Sequence, residues 1–198
     1  MQVFRDLDSR QIAPLLKAGS VGVVPTDTVY GLVCRAQDLA AVQRLFTVKK
    51  REANPGTVLA ASLQQLIDLG LKARYLKAVE HFWPNPVSVV IPCGDMLAYL
   101  HQGKHSLAVR IPDSADLRAL LKETGPLMTT SANHPGEPTA QTVQQAQQYF
   151  GDTVDFYVDG GDMGDRPAST VIRVVDDAIE ILREGAVKLD EAGRIQRG

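Results

Sequence analysis

Apolar residues recur at helical spacing between Asp8 and Ala18. Ile12, Leu15 and Leu16 share one side, Asp8 or Ser9 can cap the start, Gly19 closes the end, and Pro14 is the one helix-breaking residue inside. The run Val21, Val23, Val24, stopped by Pro25, predicts a buried strand. Asp38 is placed to cap a second helix ending near Lys49, with Leu39, Val42, Leu45 and Phe46 on its buried face. Further strands are predicted at Thr57–Ala61, Val87–Ile91, Leu107–Ile111, Leu127–Thr130, Phe156–Val158, Thr170–Val175 and Ile179–Arg183. Asp176-Asp177 turns the last two into a hairpin. Short helices are predicted from Ser62, over Ala73–Phe82, over Ala115–Lys122 and over the Gln-rich Val143–Phe150. Strands and helices mixed in this order predict an α/β fold with a mixed sheet.

Composition narrows the function classes. The 198 residues are 44% hydrophobic and 22% charged, ordinary for a folded globular chain, and no linker or repeat divides them, so a single domain over residues 1–198 is expected. A net charge of −2 gives no general support for non-specific nucleic-acid binding, while leaving room for a local basic patch. Cys34 and Cys93 stand alone without metal-ligand spacing, which favours a reducing compartment. The first residues lack the apolar run of a signal peptide and no stretch is long and apolar enough to span a bilayer, so a cytoplasmic protein without a membrane partner is expected.

Four polar constellations fall where predicted strands end, the usual place for ligand-binding groups on a sheet. The first is Pro25-Thr26-Asp27-Thr28-Val29-Tyr30-Gly31-Leu32, whose hydroxyls and carboxylate suit either a polar substrate or a turn and cap. The second is Lys49-Lys50-Arg51 before Asn54-Pro55-Gly56. Exposed cations at a helix end complement its dipole, and Lys49 and Arg51 can converge on a polyphosphate only if the chain leaves the helix there. The third is Ser106 to Pro112, where strand alternation places Ser106, Ala108 and Arg110 on one face, as a carboxylate or phosphate receptor requires. The fourth is Leu127 to Asn133, an apolar strand ending in Ser131-Ala132-Asn133, able to hydrogen-bond phosphate or to form a turn. No phosphate-binding glycine loop, zinc-protease motif or nucleophile elbow is present, and His81, His101, His105 and His134 show no ligand spacing. Gly160 to Arg166 is expected to form a flexible loop over the site.

In order, PTDTVYGL, Lys49-x-Arg51, WPNP at Trp83 to Pro86, SLAVRIP, TTSAN and STVIRV…ILREG resemble the YrdC/TsaC family of threonylcarbamoyl-AMP synthases over about Gly19 to Gly185. The resemblance implies a YrdC-like twisted mixed sheet with helices around a large concave cavity. It also implies a nucleotidyltransferase that makes threonylcarbamoyl-adenylate and pyrophosphate from L-threonine, bicarbonate or CO2, and ATP for the t6A modification of tRNA. Thr28, Arg110, Ser169 and backbone near Thr129 would contact threonine. Lys49, Arg51, Ser106, Ser131, Asn133, Thr139 and Arg183 would contact ATP, with Lys49 and Arg51 positioning phosphate and no covalent nucleophile. Mg2+ would enter with ATP, without a metal site of the protein's own. A threonylcarbamoyl transferase complex acting on tRNA would receive the product.

Glu52, Asn85, Val33 and Pro135 depart from the family's pattern, and Ala60 lies about where longer members place a histidine. Two other readings remain. One is a YciO-like paralogue with weak or different activity; the other is a double-stranded RNA or tRNA-binding module of the same fold without strong synthase activity.

Overall fold

The computed structural model describes residues 2–50, 55–176, 178–190 and 193–196. The chain begins in a short edge strand, β1 (Gln2–Phe4), and α1 (Ser9–Lys17) follows, with Asp8 accepting the Arg10 N–H at its start. Next come β2 (Gly22–Pro25), β3 (Tyr30–Arg35) and α2 (Leu39–Lys49), the last capped by Asp38 on the Ala41 N–H. β4 (Thr57–Leu59), α3 (Leu63–Leu69), α4 (Ala73–Val79), β5 (Val87–Pro92), α5 (Ala98–His101) and β6 (Ser106–Arg110) form the middle of the chain. α6 (Ala115–Thr124), β7 (Leu127–Ser131), α7 (Val143–Phe150), β8 (Phe156–Val158), β9 (Thr170–Val175) and β10 (Ala178–Arg183) complete it. Ser62, Ser114 and Thr142 cap α3, α6 and α7 through their hydroxyls, and each such cap contributes about 1 kcal/mol.

Among the described residues, ten strands join one mixed sheet in the order β1-β8-β2-β3-β7-β4-β6-β5-β9-β10. One face is covered by α2, α3, α4, α5 and α7, whose buried Leu45, Leu66, Leu76, Leu100 and Phe150 belong to the same core as Leu32, Val58, Val109 and Val89 of the sheet. The other face is covered by α1 and α6 over a smaller cluster, where Ile12, Leu16, Leu117 and Leu120 meet Val33, Leu59 and Leu127. Beyond that cluster the second face carries polar and small side chains. Register aligns Thr129 with Thr57, Thr57 with Ala108, Ala108 with Val90, and Val90 with Arg173, so one row crosses five strands on one side. That half-covered face is the floor of the cavity.

The expected elements are present, with several differences. β1, β3 and α5 are additional to them: β1 is only three residues on an exposed edge, α5 is a single turn of four residues, and β3 is a continuous apolar run sealed on both faces, which carries no alternation. Leu39 is half exposed, because it lies about a quarter-turn off the stripe formed by Ala41, Val42, Leu45, Phe46 and Lys49. The β9–β10 hairpin turns through Asp176 at φ 49°, while Asp177 lies outside the described residues. No helix among the described residues is long and apolar enough to cross a membrane.

Candidate active site

A cavity of about 680 Å³ opens over the row just described, a size suited to small-molecule ligands. Thr28, Ser106, Arg110, Thr129, Ser131, Ser169 and Arg183 of the expected site residues line it. Lys49, Asn133 and Thr139 do not, and Arg51 and Glu52 lie outside the described residues.

The turn from β2 to β3 is built on Thr26. Its hydroxyl donates to the Val29 carbonyl at 2.6 Å and accepts from the Thr28 and Val29 N–H groups, which fixes Thr28 at the cavity wall. Asp27 is not a free ligand group. One carboxylate oxygen accepts from Arg110 Nη2 at 2.9 Å and the other from the Asp113 N–H at 3.1 Å, and both side chains of this ion pair are 3–4% exposed. Burial pushes the Arg110 pKa down from the ordinary arginine value and Arg183 adds to this, while Asp27 opposes it. Nε of Arg110 is buried without a hydrogen-bond partner. An arginine that lines the cavity and is held from one side by Asp27 suits an acidic ligand group.

Across the cavity, Arg183 on β10 donates to the Ser169 carbonyl at 2.7 and 3.2 Å and to the Ser169 hydroxyl at 3.2 Å. Burial lowers its pKa. Lys104 and Arg173 also line the wall, Arg173 with its guanidinium donating to the Glu180 carboxylate at 2.7 and 3.1 Å, and among the described lining residues there is no Asp or Glu. Such a lining suits an anion. Arg173 was legible, since alternation from Val171 puts it on the same face, as the same logic found Arg110. Lys104 lies in a loop and carries no periodic signal.

Lys49 departs from the expectation of an exposed cation. α2 ends where Lys50 takes up φ 53°, so the chain does leave the helix at this point. Lys49 itself is 4% exposed and donates to the Ser131 carbonyl at 2.7 Å, the Asn133 carbonyl at 2.6 Å and Asn133 Oδ1 at 2.6 Å. The Ser131 hydroxyl donates to the same Oδ1, and Asn133 Nδ2 donates to the Glu137 carbonyl. The ammonium therefore stands behind the Ser-Ala-Asn turn and sets its shape. Thr139 is half-buried, next to Ala140, whose N–H donates to the Ala132 carbonyl.

The floor needs two glycines. A Cβ on Gly56 would lie 2.2 Å from the Thr129 carbonyl oxygen, and one on Gly31 would lie 2.7 Å from Thr129 Oγ1. Gly56→Ala must push two strands apart, an overpacking cost of about 1–3 kcal/mol that lowers Tm by roughly 3–10 °C. Thermal unfolding measures it; an unchanged Tm would show that Gly56 is not confined.

One expectation is corrected, and one group is closer in space than its spacing in sequence shows. Gly160 to Arg166 is not a flexible cover: Tyr30 Oη accepts the Gly160 N–H and donates to the Gly161 carbonyl, the Met163 N–H donates to the Gln141 carbonyl, and Met163 is buried. Its residues line a second hollow beside Pro25 and not the main cavity. The histidines, expected to lack a ligand arrangement, place His101 and His105 with Asp95 so that their candidate ligand atoms lie within 4.8 Å. His101 Nδ1 accepts N–H groups from Gly103 at 3.1 Å and His105 at 3.3 Å, which uses its lone pair and leaves the group poorly suited to a metal.

A family model named Sua5/YciO/YrdC and described as telomere recombination matches residues 14–185. The threonylcarbamoyl-AMP synthase of Marinobacter nauticus is 38% identical over 165 residues, covering 80% of this chain and 86% of that protein. The crystal structure of P. abyssi Sua5 complexed with L-threonine superposes with a TM-score of 0.85 at 28% identity, over 96% of this chain. This chain spans 59% of the P. abyssi chain's length. E. coli YciO superposes with a TM-score of 0.77 at 22% identity over 93% of both chains, a likeness of fold alone.

Proposed function

Because the chain belongs to the Sua5/YciO/YrdC family, we propose that it is a threonylcarbamoyl-AMP synthase, joining L-threonine, bicarbonate or CO2, and ATP into threonylcarbamoyl-adenylate with release of pyrophosphate. The observation that carries this reading is the buried Arg110 guanidinium. It is held by Asp27 and lines a cavity whose wall also bears Lys104, Arg183 and the Glu180-paired Arg173. It provides a receptor for the threonine carboxylate next to a cationic surface for the triphosphate. Likeness to relatives named as synthases at 38% identity, against 22% for YciO, favours this reading over a YciO-like paralogue.

In this reading Arg110, Thr28, Ser169 and the Thr129 backbone orient threonine. Ser106, Ser131 and Arg183 contact the nucleotide, and Lys49 and Asn133 hold the Ser131 turn in place. Thr139 stands behind that turn, and Arg51 completes the phosphate contacts. The threonine amine, in its neutral form, bonds through its lone pair to the carbon of CO2 and releases one proton to water, leaving a carbamate. A carbamate oxygen then attacks the α-phosphorus, the bond to the bridging oxygen breaks, and pyrophosphate leaves. Catalysis is positioning and charge stabilisation, without a covalent enzyme intermediate. The described cavity lining offers no carboxylate to a Mg2+ ion, and in this reading Mg2+ enters as part of the MgATP substrate. The proposed setting is the cytoplasm, where a transferase complex acting on tRNA takes the reactive product.

Ligand-induced stabilisation tests the reading against an RNA-binding module. MgATP at a hundredfold its Kd is expected to stabilise the fold by about 2.7 kcal/mol, a Tm rise of roughly 5–10 °C, with L-threonine adding to it. An RNA module would ignore L-threonine and bind duplex RNA with steep salt dependence, an outcome that would displace the synthase.

A further inference from the structure

We infer that Ser88 is a positioning residue that holds the Ser169 hydroxyl as a hydrogen-bond donor toward the cavity, so that the part of the substrate lying there must be an acceptor. Ser88 sits on β5 opposite Val171 of β9 and is wholly buried, between the core residues Val87 and Val89. Its Oγ lies 2.9 Å from Ser169 Oγ, and among the described residues it has no other hydrogen-bond partner. Ser169 Oγ is also within 3.2 Å of Arg183 Nη2.

Counting hydrogens gives the direction. A guanidinium has no lone pair, so Arg183 donates and Ser169 accepts. If Ser169 also donated to Ser88, the Ser88 hydrogen would be buried with no acceptor, a costly arrangement. With Ser88 donating instead, its hydrogen is satisfied and both lone pairs of Ser169 are filled. The Ser169 hydrogen then has its acceptor in the ligand. Ser169 lines the cavity, so the group placed against it is a carboxylate or hydroxyl oxygen of the amino acid and not its protonated amine. The inference rests on the reading of this cavity as the threonine site, and it adds a selectivity element two shells from solvent. A pair that merely satisfied two buried hydroxyls would affect stability alone.

The test is a double-mutant cycle in the full chain, with L-threonine as probe, using Ser88→Ala, Ser88→Cys, Ser169→Ala and the Ser88→Ala/Ser169→Ala pair. Cysteine is close to serine in size and a weak donor, so the test survives an alanine variant that fails to fold. Both Ser88 variants are expected to weaken L-threonine binding about 5–10-fold, with kcat and the KM for ATP within about twofold of wild type. In the Ser169→Ala background the Ser88→Ala change should add less than about twofold. A lowered Tm with unchanged L-threonine affinity, or a Ser88 effect of full size persisting without the Ser169 hydroxyl, overturns the inference. Wild type that does not bind L-threonine removes the reading of the cavity and the inference together, whereas wild-type binding with unaltered Ser88 variants removes the inference alone.

Discussion

Arg110→Ala is expected to lower kcat/KM for L-threonine by about 10²–10³, with a much smaller change in the KM for ATP. The guanidinium is 4% exposed, and its charge-assisted bond to a carboxylate would be made away from water, where truncating one partner costs about 2–5 kcal/mol. The same substitution destabilises the protein, because Asp27 is left as a buried carboxylate whose other partner is one backbone N–H. Losing one member of a buried pair costs about 3–5 kcal/mol, so Tm should fall by roughly 6–20 °C. Asp27→Asn separates the two effects. It keeps the shape and the Asp113 contact at one oxygen but removes the charge that orients Arg110, and threonine affinity should fall while ATP affinity holds. Steady-state kinetics with each substrate varied in turn measure this, and a change confined to ATP would assign Arg110 to the phosphates instead.

Lys49→Ala is expected to abolish most activity and, contrary to a surface cation, to cost stability. Three short bonds tie the ammonium to Ser131 and Asn133. Their removal takes the charged donor from the Asn133 carbonyl, for which about 1–3 kcal/mol is the cost of a buried group left unpaired, and leaves the Ser131 carbonyl with the Asn133 N–H and Asn133 Oδ1 with the Ser131 hydroxyl. A loss of roughly 5 °C or more in Tm should accompany a fall in kcat of about 10²-fold, the size expected when groups that position the substrate are displaced by about 1 Å. Lys49→Arg is no rescue, since a planar fork cannot converge three hydrogens on that turn. Full thermal stability in Lys49→Ala would mean that the ammonium does not organise the Ser-Ala-Asn turn.

What could be read from the chain was local. Caps at Asp8, Asp38 and Ser62 act through bonds to residues two or three positions on, and Ser106, Ala108 and Arg110 share the cavity face because strand alternation is a property of one segment. The exit from the helix after Lys49 was readable from Asn54-Pro55-Gly56 nearby. Pairings between distant segments were not. Nothing in the composition of PTDTVYGL tells that Asp27 meets Arg110, 83 positions away, or that Ser88 meets Ser169, 81 away. The burial of Lys49 depends on where β7 ends relative to α2, which is set by sheet order and not by either segment. The loop from Gly160 read as flexible because its glycines and acids match a mobile segment, while the Tyr30 hydroxyl that pins it comes from β3.

The most direct measurement of the central claim is product formation by the purified chain supplied with MgATP, labelled bicarbonate and each of the twenty amino acids in turn. The account predicts a labelled adenylate and pyrophosphate in equal amounts with L-threonine, and loss of both in Arg110→Ala at threonine concentrations that saturate wild type. Equal pyrophosphate release with and without L-threonine, or no adenylate from a folded chain that binds duplex RNA tightly at low salt, would contradict it.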